Sequence, residues 1–147
     1  MKNLLILSTI FLISCQIIEF RKPNEEEIRQ WEYLTTCLET NGLIGAIDTE
    51  MPTYIATVKD FNCGWDTTVL ECLWKPNIVV INAVILDWPK AHEWFLNYLR
   101  HAWKHAILQQ LTGDSDWQHK SGWFDTLLRD ENGHLYSYKS PCSDFPE

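Results

Sequence analysis

The length, composition and charge of this chain indicate one acidic globular domain. Its 147 residues leave room for one domain and hardly for a second. Hydrophobic residues make up 46% and charged residues 22%, which is typical of a chain that buries a core and excludes a disordered or collagen-like chain. The formal net charge of -8 excludes a nucleic-acid-binding protein, because neutralising phosphates requires an excess of Lys and Arg.

The N-terminus has the pattern of a secretion signal. Lys2 provides the positive start, and an apolar run follows at 4–13. This run is too short to cross a bilayer as a helix. It is followed by Ser14 and Cys15, and this ending resembles the lipobox of bacterial lipoproteins, in which the signal is cut before a cysteine that then carries a diacylglyceryl anchor. We therefore expect a lipoprotein signal peptide at 1–14.

The lipobox resemblance implies a place in the cell as well as a cleavage site. The chain is expected to be exported to the bacterial cell envelope and attached to the membrane by a lipid on Cys15, with a tether at 15–23 and a single domain at 24–147. Gln16 stands where an Asp often signals retention in the inner membrane, which favours the outer membrane or the cell surface. The alternative is an ordinary signal peptide with an incidental cysteine.

The first predicted element of the domain is a helix that begins after Asn24. Asn is a favourable N-cap, and three glutamates at 25–27 suit the positive N-terminal end of a helix. Asn41 and Gly42 predict its end. Apolar residues recur between these signals at helical spacing, at Ile28, Trp31, Leu34 and Leu38.

A second region, from 43 to 86, has the texture of strands, and a long helix follows it. Three apolar or β-branched runs are separated by Asn, Gly and Pro, at 54–58, 67–74 and 78–86. The long helix is predicted from about 91 to 111, where Thr112 and Gly113 end it. One face of this helix is expected to be solvated, because its polar residues share a stripe at Glu93, Asn97, Arg100 and Lys104.

The rest of the chain predicts a small C-terminal unit. A polar turn at 114–117 precedes a short segment at 123–129 and a hairpin at Asn132 and Gly133. A helix, a small antiparallel or mixed sheet, a long helix and a C-terminal tail together predict the α+β class.

Four further cysteines lie beyond Cys15, and export would place them in an oxidising compartment. Of the three possible pairings, we favour Cys63 with Cys72, which closes a hairpin, and Cys37 with Cys142, which ties the first helix to the C-terminal tail. The rival interpretation is a structural zinc site. It is disfavoured because the sequence contains no CxxC pair.

Two histidines lie four residues apart on the long predicted helix. His101 and His105 project from one side of it, and this is the spacing at which a helix offers two imidazoles to Zn²⁺. His119, beyond the end of the helix, is the candidate for the third ligand. The alternative is that the pair are ordinary core or surface histidines. His92 and His134 are predicted to be surface residues without a role.

These residues resemble the core of small bacterial exported zincin-type metallopeptidases. In that family a HExxH helix is followed by a TGDxDxxH turn that carries the third zinc ligand. Here His101 and His105 match the helix, and segment 112–119 matches the turn. Cys63 and Cys72 are similar to the cysteines that precede the HExxH helix in those proteins.

The resemblance covers about 63–124 and implies a minimal zincin fold with Zn²⁺ on the three histidines. It implies that a sheet edge strand, at 78–86, runs beside the metal helix as a rail for a peptide or protein partner. Asp114 and Asp116 flank the third ligand, and outer-sphere roles suit them: orienting His119 or holding its turn.

The sequence departs from the family at one decisive position. The Glu of HExxH is the general base that deprotonates the metal-bound water, and this chain has Ala102 there. Glu93 is too far along the helix to replace it. We therefore expect little or no peptidase activity, with no catalytic residue assigned. Two interpretations stay open: a natural pseudoenzyme, or a Glu→Ala change that silences a peptidase.

A different class of function is also consistent with the sequence. A surface lipoprotein without a metal would bind a glycan or a protein through aromatic platforms. Five tryptophans are candidates for such platforms: Trp65, Trp74, Trp88, Trp117 and Trp123. A purely structural envelope lipoprotein is a third possibility, which only the anchor supports.

Overall fold

The computed structural model of this protein describes residues 18–45, 49–63 and 68–145. The predicted signal peptide at 1–14 and the predicted lipidation site at Cys15 lie outside the described residues. The elements are β1 (Phe20–Arg21), α1 (Glu25–Thr40), β2 (Tyr54–Val58), β3 (Glu71–Lys75), β4 (Ile78–Asn82), a 3-10 helix (Ala83–Asp87), α2 (Ala91–Thr112), β5 (Thr126–Arg129) and β6 (Leu135–Tyr138).

The strands form two sheets, and the predicted α+β class is confirmed. The larger sheet has the order β1-β2-β4-β3, in which β2 and β4 are parallel and the other neighbours are antiparallel. Strands β5 and β6 form the predicted antiparallel hairpin around Asn132 and Gly133. In the described part of the chain, no helix combines the length and the apolar content that crossing a membrane would require.

The prediction of a third strand at 78–86, at the edge of the sheet, is wrong in where the strand ends and in its position in the sheet. It ends at Asn82, whose side-chain oxygen accepts a hydrogen bond from the amide of Val84 at 3.0 Å and so starts the 3-10 helix. β4 is an interior strand, because β2 and β3 occupy its two sides. The sheet edge that lies beside α2 is therefore β3, which contacts that helix directly.

Helix α1 begins where the sequence predicts and is anchored by a buried glutamate. Asn24 and Glu27 form a reciprocal capping box, in which the Asn24 side chain accepts from the Glu27 amide at 2.9 Å. The Glu27 carboxylate accepts from the Asn24 amide at 2.8 Å and from the Arg21 guanidinium at 2.7 and 2.8 Å. Both oxygens of this carboxylate therefore have strong donors, although Glu27 is only 2% exposed.

Helix α2 runs through the middle of the molecule, and this overturns the predicted solvated face. Asn97 is 4% exposed and Lys104 is 0% exposed, although the polar stripe placed both in solvent. The helix contacts α1, β3, β4 and the 3-10 helix, and the C-terminal segment at 140–144 covers the side that carries Lys104. A stripe of polar residues on a helix therefore indicates a solvent-exposed face only when no other segment of the chain covers it and hydrogen-bonds to its side chains.

The two predicted disulfides are both present. Cys37 is bonded to Cys142 across a separation of 105 residues, and Cys63 is bonded to Cys72 across 9 residues. The first joins the C-terminal turn of α1 to the C-terminal tail. The second lies next to Glu71 in β3, so it constrains the strand that borders α2.

Candidate metal centre

Three histidines bring their Nε2 atoms to one point. His119 Nε2 lies 3.2 Å from His101 Nε2 and 3.3 Å from His105 Nε2. Ligands at about 2.0–2.1 Å from a tetrahedral zinc ion are about 3.3–3.4 Å apart, so these two separations are close to the distance between neighbouring ligands of such an ion. The three ligand atoms all lie within 4.8 Å of one another, close enough to hold one metal ion.

In both helix histidines, a hydrogen bond at Nδ1 leaves the lone pair on Nε2, which faces the other imidazoles. His105 Nδ1 lies 2.6 Å from the carbonyl oxygen of Ser115, which can only accept, so Nδ1 carries the hydrogen. His101 Nδ1 likewise donates to the Asp144 carboxylate at 2.9 Å. In the neutral rings Nε2 is then an unprotonated acceptor, which is the form that binds a metal.

His119 reaches the helix because a tight turn follows α2. Gly113, with φ of 77°, ends the helix in the left-handed region, where glycine is unstrained. Asp116 and His119 adopt φ of 52° and 55°, and the Asp116 carboxylate accepts the amides of Lys120 and Ser121 at 2.8 and 2.7 Å. Asp116 thus holds the turn, and it makes no hydrogen bond to the His119 ring among the contacts described here.

Asp114, the other predicted outer-sphere residue, acts within the same turn. Its carboxylate accepts the amide of Asp116 at 2.8 Å, while the Asp114 amide donates to Thr112 Oγ1 at 3.1 Å. These bonds set the path of the chain between the end of α2 and His119. The contribution of Asp114 to the site is therefore indirect, through the conformation of the turn.

Asp144, from the C-terminal tail, is the carboxylate that orients a ligand. Its Oδ2 accepts from His101 Nδ1, and its Oδ1 accepts from Lys104 Nζ at 2.5 Å. Lys104 Nζ also donates to the Trp123 carbonyl, the Ser140 hydroxyl and the Cys142 carbonyl. A metal-ligating imidazole commonly donates its other N–H to a carboxylate, and Lys104 keeps that carboxylate charged inside the protein.

The floor of the site is a single aromatic ring. Phe124 is fully buried, and its ring centroid lies 4.3 Å from that of His105, 4.4 Å from that of His119 and 4.8 Å from that of His101. Packing against one rigid ring limits the rotation of all three imidazoles, which favours a site that is formed before an ion arrives.

Glu71 on β3 faces the imidazoles from the sheet. Its Oε1 lies 3.6 Å from His101 Nε2 and 4.0 Å from His105 Nε2, and its Oε2 has no hydrogen-bond partner in the described part of the chain. A cavity of about 510 Å³ opens between β3 and the turn after α2, and Glu71, Tyr98 and Trp117 help to line it.

The environment of the site lowers the pKa values of His105 and Asp144, which favours ligation, and raises that of Glu71, which favours its neutral form. Burial and the neighbouring His101 lower the pKa of His105 to about 3, so this imidazole is neutral at physiological pH. Burial opposes the charged form of Asp144, but the hydrogen bond and charge of His101 and the charge of Lys104 outweigh it and lower its pKa to about 2. Burial raises the pKa of Glu71.

His101 and His119 shift in opposite directions. Burial lowers the pKa of His101, but the Asp144 hydrogen bond and the charges of Glu71 and Asp144 outweigh it, so the net shift is upward. Burial and the charge of His101 lower the pKa of His119. Of the two imidazoles, the surroundings therefore favour the protonated form at His101 and the neutral form at His119.

The structure brings the three predicted ligands together and leaves the other two histidines outside. His92 and His134 have exposed side chains that lie near Glu26 and Asp130. Ala102 has no exposed surface and belongs to the hydrophobic core.

Sequence reasoning missed Glu71 and Asp144, and only one of them carries a signal. Glu71 is the single acidic residue in the run 67–74, and a lone carboxylate in an apolar strand is a sign of a polar partner inside the fold. Asp144 stands in a polar tail among residues that are typical of a surface turn. Its place beside His101 depends on the Cys37–Cys142 disulfide and on Lys104.

The candidate tryptophans are dispersed over several parts of the molecule. Trp123 is buried, and Trp88 packs in a cluster of aromatic rings. Trp74 is exposed on β3, and Trp117 is exposed at the cavity beside the histidines. Trp65 lies outside the described residues.

We compared the chain with protein-family models, with curated proteins and with solved structures, and it matches none of them.

Proposed function

We propose that this protein is a lipid-anchored, zincin-like zinc-binding protein of the bacterial cell envelope that has lost most or all peptidase activity. The observation that carries the proposal is the convergence of the Nε2 atoms of His101, His105 and His119, with neighbouring separations of 3.2 and 3.3 Å. Three imidazoles on a helix and a following turn are a typical ligand set for Zn²⁺.

The preference for zinc follows from the chemistry of the donors. Neutral imidazole nitrogens suit Zn²⁺, whereas Mg²⁺ and Ca²⁺ require oxygen ligands. The hydrogen bonds of His101 to Asp144 and of His105 to the Ser115 carbonyl favour the tautomers that ligation needs. Zinc bound here would supply a Lewis acid, and the chain's own residues would hold and orient it.

Impaired catalysis is inferred from the residue between the two helix ligands. Ala102 has no proton-accepting group, and its side chain packs in the core. Loss of a general base typically costs about 10²–10⁴-fold in rate. A peptide that adds to the edge strand β3 would lie along the cavity beside the histidines and be bound rather than cut.

The proposal of export and membrane attachment is supported by the N-terminal sequence and, for export, by the disulfides. The apolar run at 4–13 and the following Cys15 support a lipoprotein signal, and the two disulfides suit an oxidising compartment. The proposed location is the outer membrane or the cell surface, and the proposed partners are the membrane and a peptide or protein.

The test is the zinc content of the full chain, purified in detergent without added metal. We expect one zinc per chain in the wild type and none in a His105→Ala variant. A His134→Ala variant is the matched control, because this histidine is exposed and lies on the β5–β6 hairpin. It should retain one zinc.

Two results would contradict the proposal. One is a folded wild type, with both disulfides formed, that contains no zinc and takes up none. The other is equal zinc content in the His105→Ala and His134→Ala variants, since the metal would then lie elsewhere.

A further inference from the structure

We propose that Glu71 is the fourth ligand of this centre, so that the metal is held in a closed site by three imidazoles and one carboxylate. The inference rests on the proposed zinc site and adds a residue that lies outside the helix motif.

The distances place Glu71 within reach of an ion bound to the two helix histidines. Two ligands of one zinc ion are about 3.3–3.4 Å apart at a tetrahedral angle and cannot be further apart than the sum of two bonds, about 4.1 Å. Glu71 Oε1 lies 3.6 Å from His101 Nε2 and 4.0 Å from His105 Nε2, inside that limit for both. To reach tetrahedral values, the first separation must shorten by about 0.2–0.3 Å and the second by about 0.6–0.7 Å.

Within residues 18–45, 49–63 and 68–145, no short hydrogen bond accounts for the position of the Glu71 carboxylate. Its side chain is 12% exposed, its Oε2 is buried without a hydrogen-bond partner among these residues, and its Oε1 lies beyond hydrogen-bond distance of the His101 and His105 imidazoles. Lys104, the buried cation of this region, is directed to Asp144 instead. Buried carboxylates are normally paired or bound to a metal, because removing a charge from water is costly. A cation at the meeting point of the histidines would satisfy Glu71.

Strand pairing and a disulfide fix the backbone at Glu71. Its strand pairs in register with β4, where Glu71 faces Ile81, and the next residue is tied by the Cys63–Cys72 disulfide. A ligand on a strand fixed in this way loses little conformational entropy on binding, and this is a requirement of a tight site.

A carboxylate at the fourth position has a consequence for chemistry. Structural zinc sites have four protein ligands, whereas catalytic sites keep one position for water. With Glu71 bound, no position is left for a nucleophilic water, and with Ala102 there is no base to activate one. Both features point to a centre that retains metal rather than one that turns over a substrate.

The experiment uses Co²⁺ in place of Zn²⁺, because the visible absorption of Co²⁺ reports its coordination. Full-chain wild type, Glu71→Gln, Glu71→Ala and the control Glu93→Gln are prepared metal-free in detergent and titrated with Co²⁺. Glu93 is exposed on α2, in the turn furthest from the ligands. We expect the two Glu71 variants to lose affinity by about 100-fold, at the upper end of what even outer-sphere partners contribute, and Glu93→Gln to match the wild type.

Azide distinguishes a closed site from an open one. The wild-type cobalt spectrum should not change when azide is added, because no coordination position is free. The Glu71→Ala spectrum should change, because water replaces the carboxylate and azide displaces that water.

The possible failures of the two proposals are separable. If the wild type binds no Co²⁺ or Zn²⁺, the proposed function fails with the inference. If the wild type binds the metal but its spectrum responds to azide, or if the Glu71 variants bind as tightly as Glu93→Gln, the zinc site stands and the fourth ligand is refuted.

Discussion

Glu27 is buried and Glu71 is largely buried, and the described residues supply hydrogen-bond donors to the first carboxylate but not to the second. Glu27, at the start of α1, is 2% exposed, and its carboxylate accepts three hydrogen bonds of 2.7–2.8 Å from Arg21 and Asn24. Glu71, on β3, has a side chain that is 12% exposed, and its nearest basic groups lie 3.6 and 4.0 Å away. The described residues thus supply hydrogen-bond donors to both oxygens of Glu27, whereas they supply none at hydrogen-bond distance to Glu71.

The difference teaches how to separate a structural charge from a functional one. A buried carboxylate that the fold needs for stability is surrounded by donors from its own neighbourhood, as the capping box shows. A buried carboxylate without short contacts, beside three converging imidazoles, costs stability until a cation arrives. A carboxylate that is removed from water without hydrogen-bond donors therefore indicates this site better than burial alone does.

The largest expected effect is that of zinc on stability. Free zinc at about 1,000 times its dissociation constant should raise the free energy of unfolding of the wild type by about 4 kcal/mol. The gain should shrink in Glu71→Gln and persist in Glu27→Gln, because only the first removes a ligand. Thermal unfolding with and without zinc measures both. An equal gain in the two variants would remove the functional distinction between these glutamates.

A second prediction concerns Asp144, whose carboxylate is hydrogen-bonded like that of Glu27 but lies beside the candidate metal site. Asp144→Asn should lower the free energy of unfolding of the metal-free protein by about 3 kcal/mol, because Lys104 loses its buried counter-charge. Zinc affinity should fall by about 10–100-fold, since His101 loses its carboxylate partner. Urea unfolding and zinc titration are the measurements. Unchanged stability would show that Lys104 does not depend on this carboxylate.

The smallest effect is expected for Glu27→Gln in the metal-free protein. Loss of the charged hydrogen bonds from Arg21 and Asn24 should cost about 1–2 kcal/mol at pH 7. Metal-free Glu71→Gln should cost less or be stabilising, because it removes a buried charge without a close partner. Urea unfolding of both variants beside the wild type tests this order, and a larger loss for Glu71→Gln would reverse the comparison.

The Glu27 effect should also depend on pH. Burial raises the pKa of Glu27, but the hydrogen bond and charge of Arg21 and the Asn24 amide outweigh it and lower the pKa below 4.5. The ionised carboxylate therefore contributes stability above pH 4.5, and this contribution is lost as the pH falls through the lowered pKa. The stability gap between wild type and Glu27→Gln should be full at pH 7 and close in strong acid. A gap that stays constant over this range would contradict the assignment.

The sequence by itself determined the parts that depend on local patterns. The N-cap at Asn24, the end of α2 at Gly113, and the pair His101 and His105 follow from helix chemistry and a period of 3.6 residues. The disulfide pairing was also accessible, because only three pairings of four cysteines exist. His119 is also predictable as the third candidate ligand, because the short turn after α2 limits how far it can lie from the helix.

Only the tertiary structure decided which groups surround these histidines. Asp144 reaches His101 across 43 residues, and Glu71 reaches it from an edge strand of the sheet. Lys104, predicted in solvent from its helix face, is buried because the C-terminal tail folds over it. The physical reason is that periodicity reports which residues share a face, whereas burial depends on segments distant in sequence that cover that face.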